Sequence, residues 1–275
     1  LIKVTSRLII AMTLLAAAAA WSQPGLYGTA GLDEKPGGRI PLDLTFYDEN
    51  GENVALREIL DKPVILTLVY LDCSHMCPQV LSGLATAVDA MQLTPGKDYR
   101  LVTVSFDESD TPVDARNGKA NYTTSITRHF PRDAWKFLTG DRENIKKITE
   151  AVGIRFKKMD HGFVHPEVLI FISPEGKITK YMNVPKYNYG LAYPVIFSTM
   201  EMQTAIGEAA GNEVSATRAG TPLYCFLHEP PGQAKFFSLM KVVGIITLIS
   251  LAALYVLLKS TGKSRGINGK ERDGE

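Results

Sequence analysis

Two cysteines carry the sharpest chemical signal in the chain. Cys73 and Cys77 are separated by Ser74-His75-Met76 and followed by Pro78, and the only other cysteine is Cys225. A thiolate is both a nucleophile and a soft metal ligand, and a helix N-terminus favours the thiolate form. Two sulfurs this close in sequence can form a disulfide, exchange with a partner's thiols or hold a metal ion. The spacer of three residues makes a wider loop than the Cys-x-x-Cys of a generic thioredoxin. A disulfide across it needs Cβ atoms ~3.5–4.5 Å apart. A purely structural bridge here would constrain the unfolded chain little, because the loop is short. Position 70 is Tyr, not the Thr that stands three residues before the cysteine of a thiol peroxidase.

Five histidines, His75, His129, His161, His165 and His228, are the candidate partners. His165 precedes the apolar run Val168–Ile172. An imidazole beside two thiolates makes a two-sulfur, one-nitrogen site, which suits copper, Cu(I) above all, better than magnesium or calcium. On the residues alone, an ordinary satisfied or exposed histidine is the simpler reading of His165.

The elements that must position these groups can be read from periodicity. Val64–Leu71 is an almost unbroken apolar run with β-branched residues, as in a central parallel strand buried on both faces. Pro78 fits the first turn of a helix whose apolar positions Val80, Leu81, Leu84, Val88 and Met91 recur at helical spacing. Further strands are expected at Tyr99–Phe106 and Trp135–Leu138, with helices opened by Thr111-Pro112 with Asp114 and by Asp141, the latter stopped at Gly153. Val168–Ile172 and Lys177–Tyr181 flank the turn Ser173-Pro174-Glu175-Gly176, and Tyr193–Ala210 is a last helix. Before all of these, Asp43–Tyr47 and Asn53–Leu56 read as a hairpin around Asn50-Gly51. The order βαβαβαββα, with the thiols between the first parallel strand and its helix, describes an α/β, thioredoxin-like fold. Sites in such sheets lie at the carboxyl ends of the strands.

Both termini read as membrane segments. Lys3 and Arg7, the 13-residue apolar run Leu8–Ala20 and Ala20-Trp21-Ser22 predict a signal peptide over 1–22. Residues 23–38 read as a linker, 39–211 as the globular domain and 212–235 as a second linker. Val242–Leu258 is 17 residues without a charge. Extended to 236–258, with Lys241 free to snorkel, it predicts one C-terminal transmembrane helix. The tail 259–275 carries Lys259, Lys263, Arg265, Lys270 and Arg272, which favours the cytoplasmic side. The two ends together predict an exported domain tethered to the membrane by a single C-terminal span, with the tail inside.

Composition excludes several classes. With 45% hydrophobic and 21% charged residues the chain can bury a core. Thirty Lys+Arg against 29 Asp+Glu excludes a nucleic-acid binder working through bulk charge. Without the signal and tail, 23 basic and 26 acidic residues remain, a net of −3, so no polyanionic partner is indicated. Three cysteines exclude a disulfide-stapled scaffold and a four-thiolate zinc ribbon.

Four motifs in order resemble the Sco/SenC family: Cys-x-x-x-Cys-Pro after an apolar strand, Ser-Phe-Asp-Glu-Ser-Asp-Thr-Pro at 105–112, Trp-Lys-Phe-Leu-Thr-Gly at 135–140, and a histidine nine residues before the Pro of the hairpin at 174–176. The resemblance runs from about Gly38 to Tyr189. Tyr224-Cys225-Phe226-Leu227-His228 followed by one span is similar to a longer bacterial branch with a C-terminal anchor. The resemblance implies a copper metallochaperone, not an enzyme in the ordinary sense. Its metal ligands would be Cys73, Cys77 and His165. Its cargo would be Cu(I), with Cu(II) as a second form. Its partners would be the copper-bearing subunit of cytochrome c oxidase, whose copper A centre it would help assemble, and a thiol reductant. The alternative is a thiol–disulfide oxidoreductase acting on that subunit's cysteines. Several residues depart from the family pattern. His75 and Met76 are either extra soft ligands or loop lining. Pro166 directly follows His165, restricts its backbone and admits a cis bond. His161 is the fallback ligand, and Cys225 with His228 is either a second copper contact or a lone thiol and a linker histidine.

Overall fold

The computed structural model describes residues 30–73, 76–160, 162–184, 195–217, 223–224 and 243–253. Contacts divide the chain into one unit of Leu26–Leu227 and another of Leu1–Gly25 with His228–Glu275.

In the first unit, β1 (Gly31–Leu32) precedes a hairpin of β2 (Thr45–Tyr47) and β3 (Asn53–Ala55), followed by the short α1 (Leu56–Ile59). Then come β4 (Val64–Val69), α2 (Met76–Ala90), β5 (Arg100–Ser105), α3 (Pro112–Thr123), β6 (Trp135–Leu138) and α4 (Arg142–Ala151). Three two-residue strands follow, β7 (Ile154–Arg155), β8 (Lys157–Lys158) and β9 (Phe163–Val164). The series ends with β10 (Pro166–Ile172), β11 (Ile178–Asn183), α5 (Thr199–Ala210) and β12 (Leu223–Tyr224). The main sheet runs β11-β10-β4-β5-β6. Strands β4, β5 and β6 are parallel, whereas β10 is antiparallel to both β4 and β11. This is the expected mixed α/β sheet of the thioredoxin-like kind.

The centre of the sheet explains its sequence. All six residues of β4 are buried, as a strand covered by helices on both faces requires. Its one polar residue, Thr67, shares a hydrogen bond of 2.8 Å with Thr103 on β5, which in turn accepts from Trp135 Nε1 on β6 at 2.9 Å. A buried hydroxyl is tolerable there because its partners are buried with it. Helix α3 starts at the expected place, with a capping box between Thr111 and Asp114. Asp141 caps α4 through Asn144 N–H. Gly153 ends that helix at φ +70°, and its carbonyl accepts from Asp33 N–H at 2.8 Å.

Three boundaries differ from expectation. Part of the stretch 23–38 expected as linker is folded in, because Gly31 and Leu32 pair with Arg155 and Ile154. The last helix begins at Thr199, six residues later than expected, where Ser198 supplies the N-cap. The strand expected from Val168 begins at Pro166.

In the second unit, residues 243–253 are helical. Val243, Ile245, Ile246, Leu248, Ile249 and Leu251 on it are exposed. No helix among the described residues is long and apolar enough to cross a membrane. The expected span 236–258 extends past the described residues at both ends. The expected signal 1–22 and tail 259–275 lie outside them.

Candidate metal centre

Each functional side chain is placed by an element end. Cys73 follows the carboxyl end of β4, and Cys77 lies in the first turn of α2, one residue before Pro78. Strand β10 pairs antiparallel with β4, Ile170 opposite Leu66 and Ile172 opposite Val64. Its amino end therefore arrives at the carboxyl end of β4, and His165 immediately precedes it. The His165–Pro166 bond is trans, since the structure has no cis peptide among the described residues.

The three predicted residues are all buried: Cys73 is 7%, Cys77 2% and His165 0% exposed. No disulfide, one of the states their spacing allows, joins Cys73 and Cys77 in the structure. Cys77 Sγ lies 3.7 Å from His165 Nε2. On the other side of the ring, Nδ1 is 3.2 Å from the Pro166 carbonyl oxygen. A carbonyl can only accept, so this contact assigns the ring proton to Nδ1 and turns the Nε2 lone pair toward the sulfur. Burial pushes the His165 pKa down to about 4, against a smaller upward pull from the Pro166 carbonyl and the Cys73 sulfur. At neutral pH the ring is an uncharged donor, the form a metal needs. Phe106 and Tyr70 meet it edge-on at centroid distances of 4.7 and 6.0 Å and hold its plane.

The structure adds a residue that the sequence reading passed over. Glu167 is 2% exposed, and its Oε1 lies 3.6 Å from Cys77 Sγ and 3.4 Å from His165 Nε2. Among the described residues, Cys77, His165 and Glu167 form the group whose ligand atoms all lie within 4.8 Å of one another. Cys73 is outside that trio but close enough for its charge to act on the ring. The available signal was spacing: two residues on from His165 along a strand is the same face. Ser74, His75, His161, Cys225 and His228 lie outside the described residues. Met76 opens α2, half-buried. His129 is on the loop before β6, away from the trio.

A cleft of about 390 Å³ reaches the two sulfurs and is lined beside them by Asp72, Asp110, Asp114, Asn117 and Tyr122. Burial raises the Asp110 pKa, although its carboxylate accepts from Ser105 Oγ and Leu71 N–H. Burial also pushes the Tyr122 hydroxyl up to about 12, with the Cys77 and Cys73 charges adding to the effect. A neutral phenol and several carboxyls thus face the thiols, an approach that suits a cation.

The SCO1/SenC family model matches residues 33–194. The SCO1 protein homolog of Bacillus subtilis (strain 168) is 25% identical over 146 residues, covering 50% of this chain and 71% of that protein. Among solved structures, a protein of Aquifex aeolicus VF5 provisionally assigned to electron transfer aligns with TM-score 0.55 and 28% identity. The alignment covers 64% of this chain and 95% of the other. Arabidopsis thaliana ScoI, solved with copper bound, aligns with TM-score 0.48 and 21% identity over 65% of this chain and 99% of its own.

Proposed function

The chain belongs to the SCO1/SenC family, whose model matches residues 33–194, and from that premise we propose that it is a copper metallochaperone. The observation that carries the reading is the buried approach of Cys77 Sγ to His165 Nε2 at 3.7 Å. The ligands are Cys73, Cys77 and His165, and the cargo is copper. Thiolates supply soft donors that retain Cu(I), and the uncharged imidazole supplies the third position without adding charge to a dry site. The acidic cleft beside the thiols is the route by which the ion enters and leaves. The acceptor is the copper-bearing subunit of cytochrome c oxidase, and a thiol reductant keeps the pair ready to bind.

The same reading tethers the domain to a bacterial inner membrane through 236–258, with the domain in the periplasm and 259–275 in the cytoplasm. The apolar, exposed helix at 243–253 and the basic residues after Leu258 support it.

Titration of the reduced full chain with Cu(I) against a competing chelator tests the central claim. One Cu(I) per chain is expected, lost when Cys73 and Cys77 are both replaced by Ser. A stoichiometry near zero, or one unchanged in the double variant, ends the reading.

A further inference from the structure

Glu167 has no counterpart in the two-cysteine, one-histidine ligand set on which the proposed function rests. It sits in a strand whose seven residues are all buried. A carboxylate removed from water is costly unless its surroundings use its charge. Its Oε1 accepts a hydrogen bond from the Cys77 thiol at 3.6 Å and lies 3.4 Å from His165 Nε2, so it already meets the two atoms assigned to the metal.

These spacings have a geometric meaning. Tetrahedral zinc sites, taken as the reference for a first-row ion, hold sulfur at ~2.3 Å and nitrogen or oxygen at ~2.0–2.2 Å. Tetrahedral angles then separate sulfur from nitrogen or oxygen by ~3.5–3.6 Å, and nitrogen from oxygen by ~3.4 Å. The observed separations are 3.7 Å for sulfur to nitrogen, 3.6 Å for sulfur to oxygen and 3.4 Å for nitrogen to oxygen. The three atoms are spaced as three edges of one tetrahedron. The nitrogen–oxygen contact, by contrast, is longer than the ~2.7–3.2 Å of an ordinary N–H···O bond. With Nδ1 carrying the ring proton, Nε2 has none to donate to the carboxylate.

We propose that Glu167 is an oxygen ligand that joins Cys73, Cys77 and His165 around the copper and strengthens the hold on Cu(II) more than on Cu(I). A carboxylate is a hard, anionic donor. It adds most to the doubly charged ion and little to the soft Cu(I), which two thiolates and an imidazole already satisfy. The inference rests on the copper-binding reading and specifies which oxidation state Glu167 favours.

The test uses the reduced full chain, with Cu(II) and Cu(I) as probes under anaerobic conditions, and compares the wild type with Glu167→Gln and Glu167→Asp. Gln keeps the size and loses the charge, whereas Asp keeps the charge and withdraws the oxygen by one carbon. The expected result is that both variants bind Cu(II) at least ~10–100-fold more weakly and change its electron paramagnetic resonance hyperfine splitting. Cu(I) affinity should fall less than Cu(II) affinity, and a far-ultraviolet circular dichroism spectrum matching the wild type certifies that the variants fold. Wild-type and variant Cu(II) spectra that superimpose, with equal Cu(II) affinities, would overturn the inference while leaving copper binding intact. A wild-type chain that binds neither ion would overturn both.

Discussion

Replacing His165 by Ala separates delivery of copper from exchange of thiols. The ring is fully buried, its Nε2 is 3.7 Å from Cys77 Sγ, and its proton is held on Nδ1 by the Pro166 carbonyl. Loss of even the hydrogen-bond partner of a metal ligand costs ~10–100-fold in affinity. Loss of the ligand itself should cost at least that, about 1.4–2.7 kcal/mol or more. The void left behind is walled by Phe106 and Tyr70, so free imidazole has a shaped place to re-enter. Neither sulfur changes, and dithiol exchange needs only an attacking and a resolving sulfur. We therefore expect His165→Ala to bind Cu(I) at least tenfold more weakly in chelator competition, with part of the loss restored by millimolar imidazole. The Cys73–Cys77 pair should still oxidise and reduce. In cells, oxidase activity should fall as far as in Cys73→Ser, with added copper partly rescuing. Near-normal oxidase activity in His165→Ala, with both cysteine variants dead, would refute the chaperone argument and leave a thiol reductase in its place.

Two further outcomes follow from other parts of the chain. Gly153 sits at φ +70°, and a Cβ there would lie 1.8 Å from the Asp33 carbonyl oxygen. Gly153→Ala should lose ~1–3 kcal/mol or more in urea unfolding, and a midpoint equal to the wild type would mean that the β1–β7 corner does not hold as described. A reporter active only in the cytoplasm should be on when fused after Glu275, and a periplasmic reporter working there instead would reverse the proposed topology.

What the sequence made legible and what it hid divide along the range of the interactions involved. The apolar run at 64–71, the Thr111–Asp114 capping box and the Asp141 cap are local signals, and each element lies where its residues indicate. The turn Asp48-Glu49-Asn50-Gly51 also formed, with Gly51 at φ +83°. Yet its two acidic residues, which a local reading leaves in water, are 0% and 4% exposed. Lys136 reaches Asp48 at 3.1 Å, and Lys119 pairs with Glu49, whose other oxygen accepts from Phe137 N–H. Those partners stand 88 and 70 residues away along the chain. No window of sequence contains both halves of such a pair.

Glu167 was hidden for a different reason. Its partner His165 is only two residues away, so distance along the chain was no obstacle. An acidic residue just ahead of an apolar run reads as lying outside the strand, and what it faces is decided by the pairing of β10 with β4. That register is set by long-range contact, and a slip of one residue would turn every side chain of the strand to the other face. The slip would nevertheless move His165 and Glu167 together, because residues two apart share a face in any register. Placing His165 beside the dithiol therefore already placed a carboxylate there. The alternation of the strand ties the oxygen donor to the nitrogen donor, and the fold supplies only the sulfur that both approach.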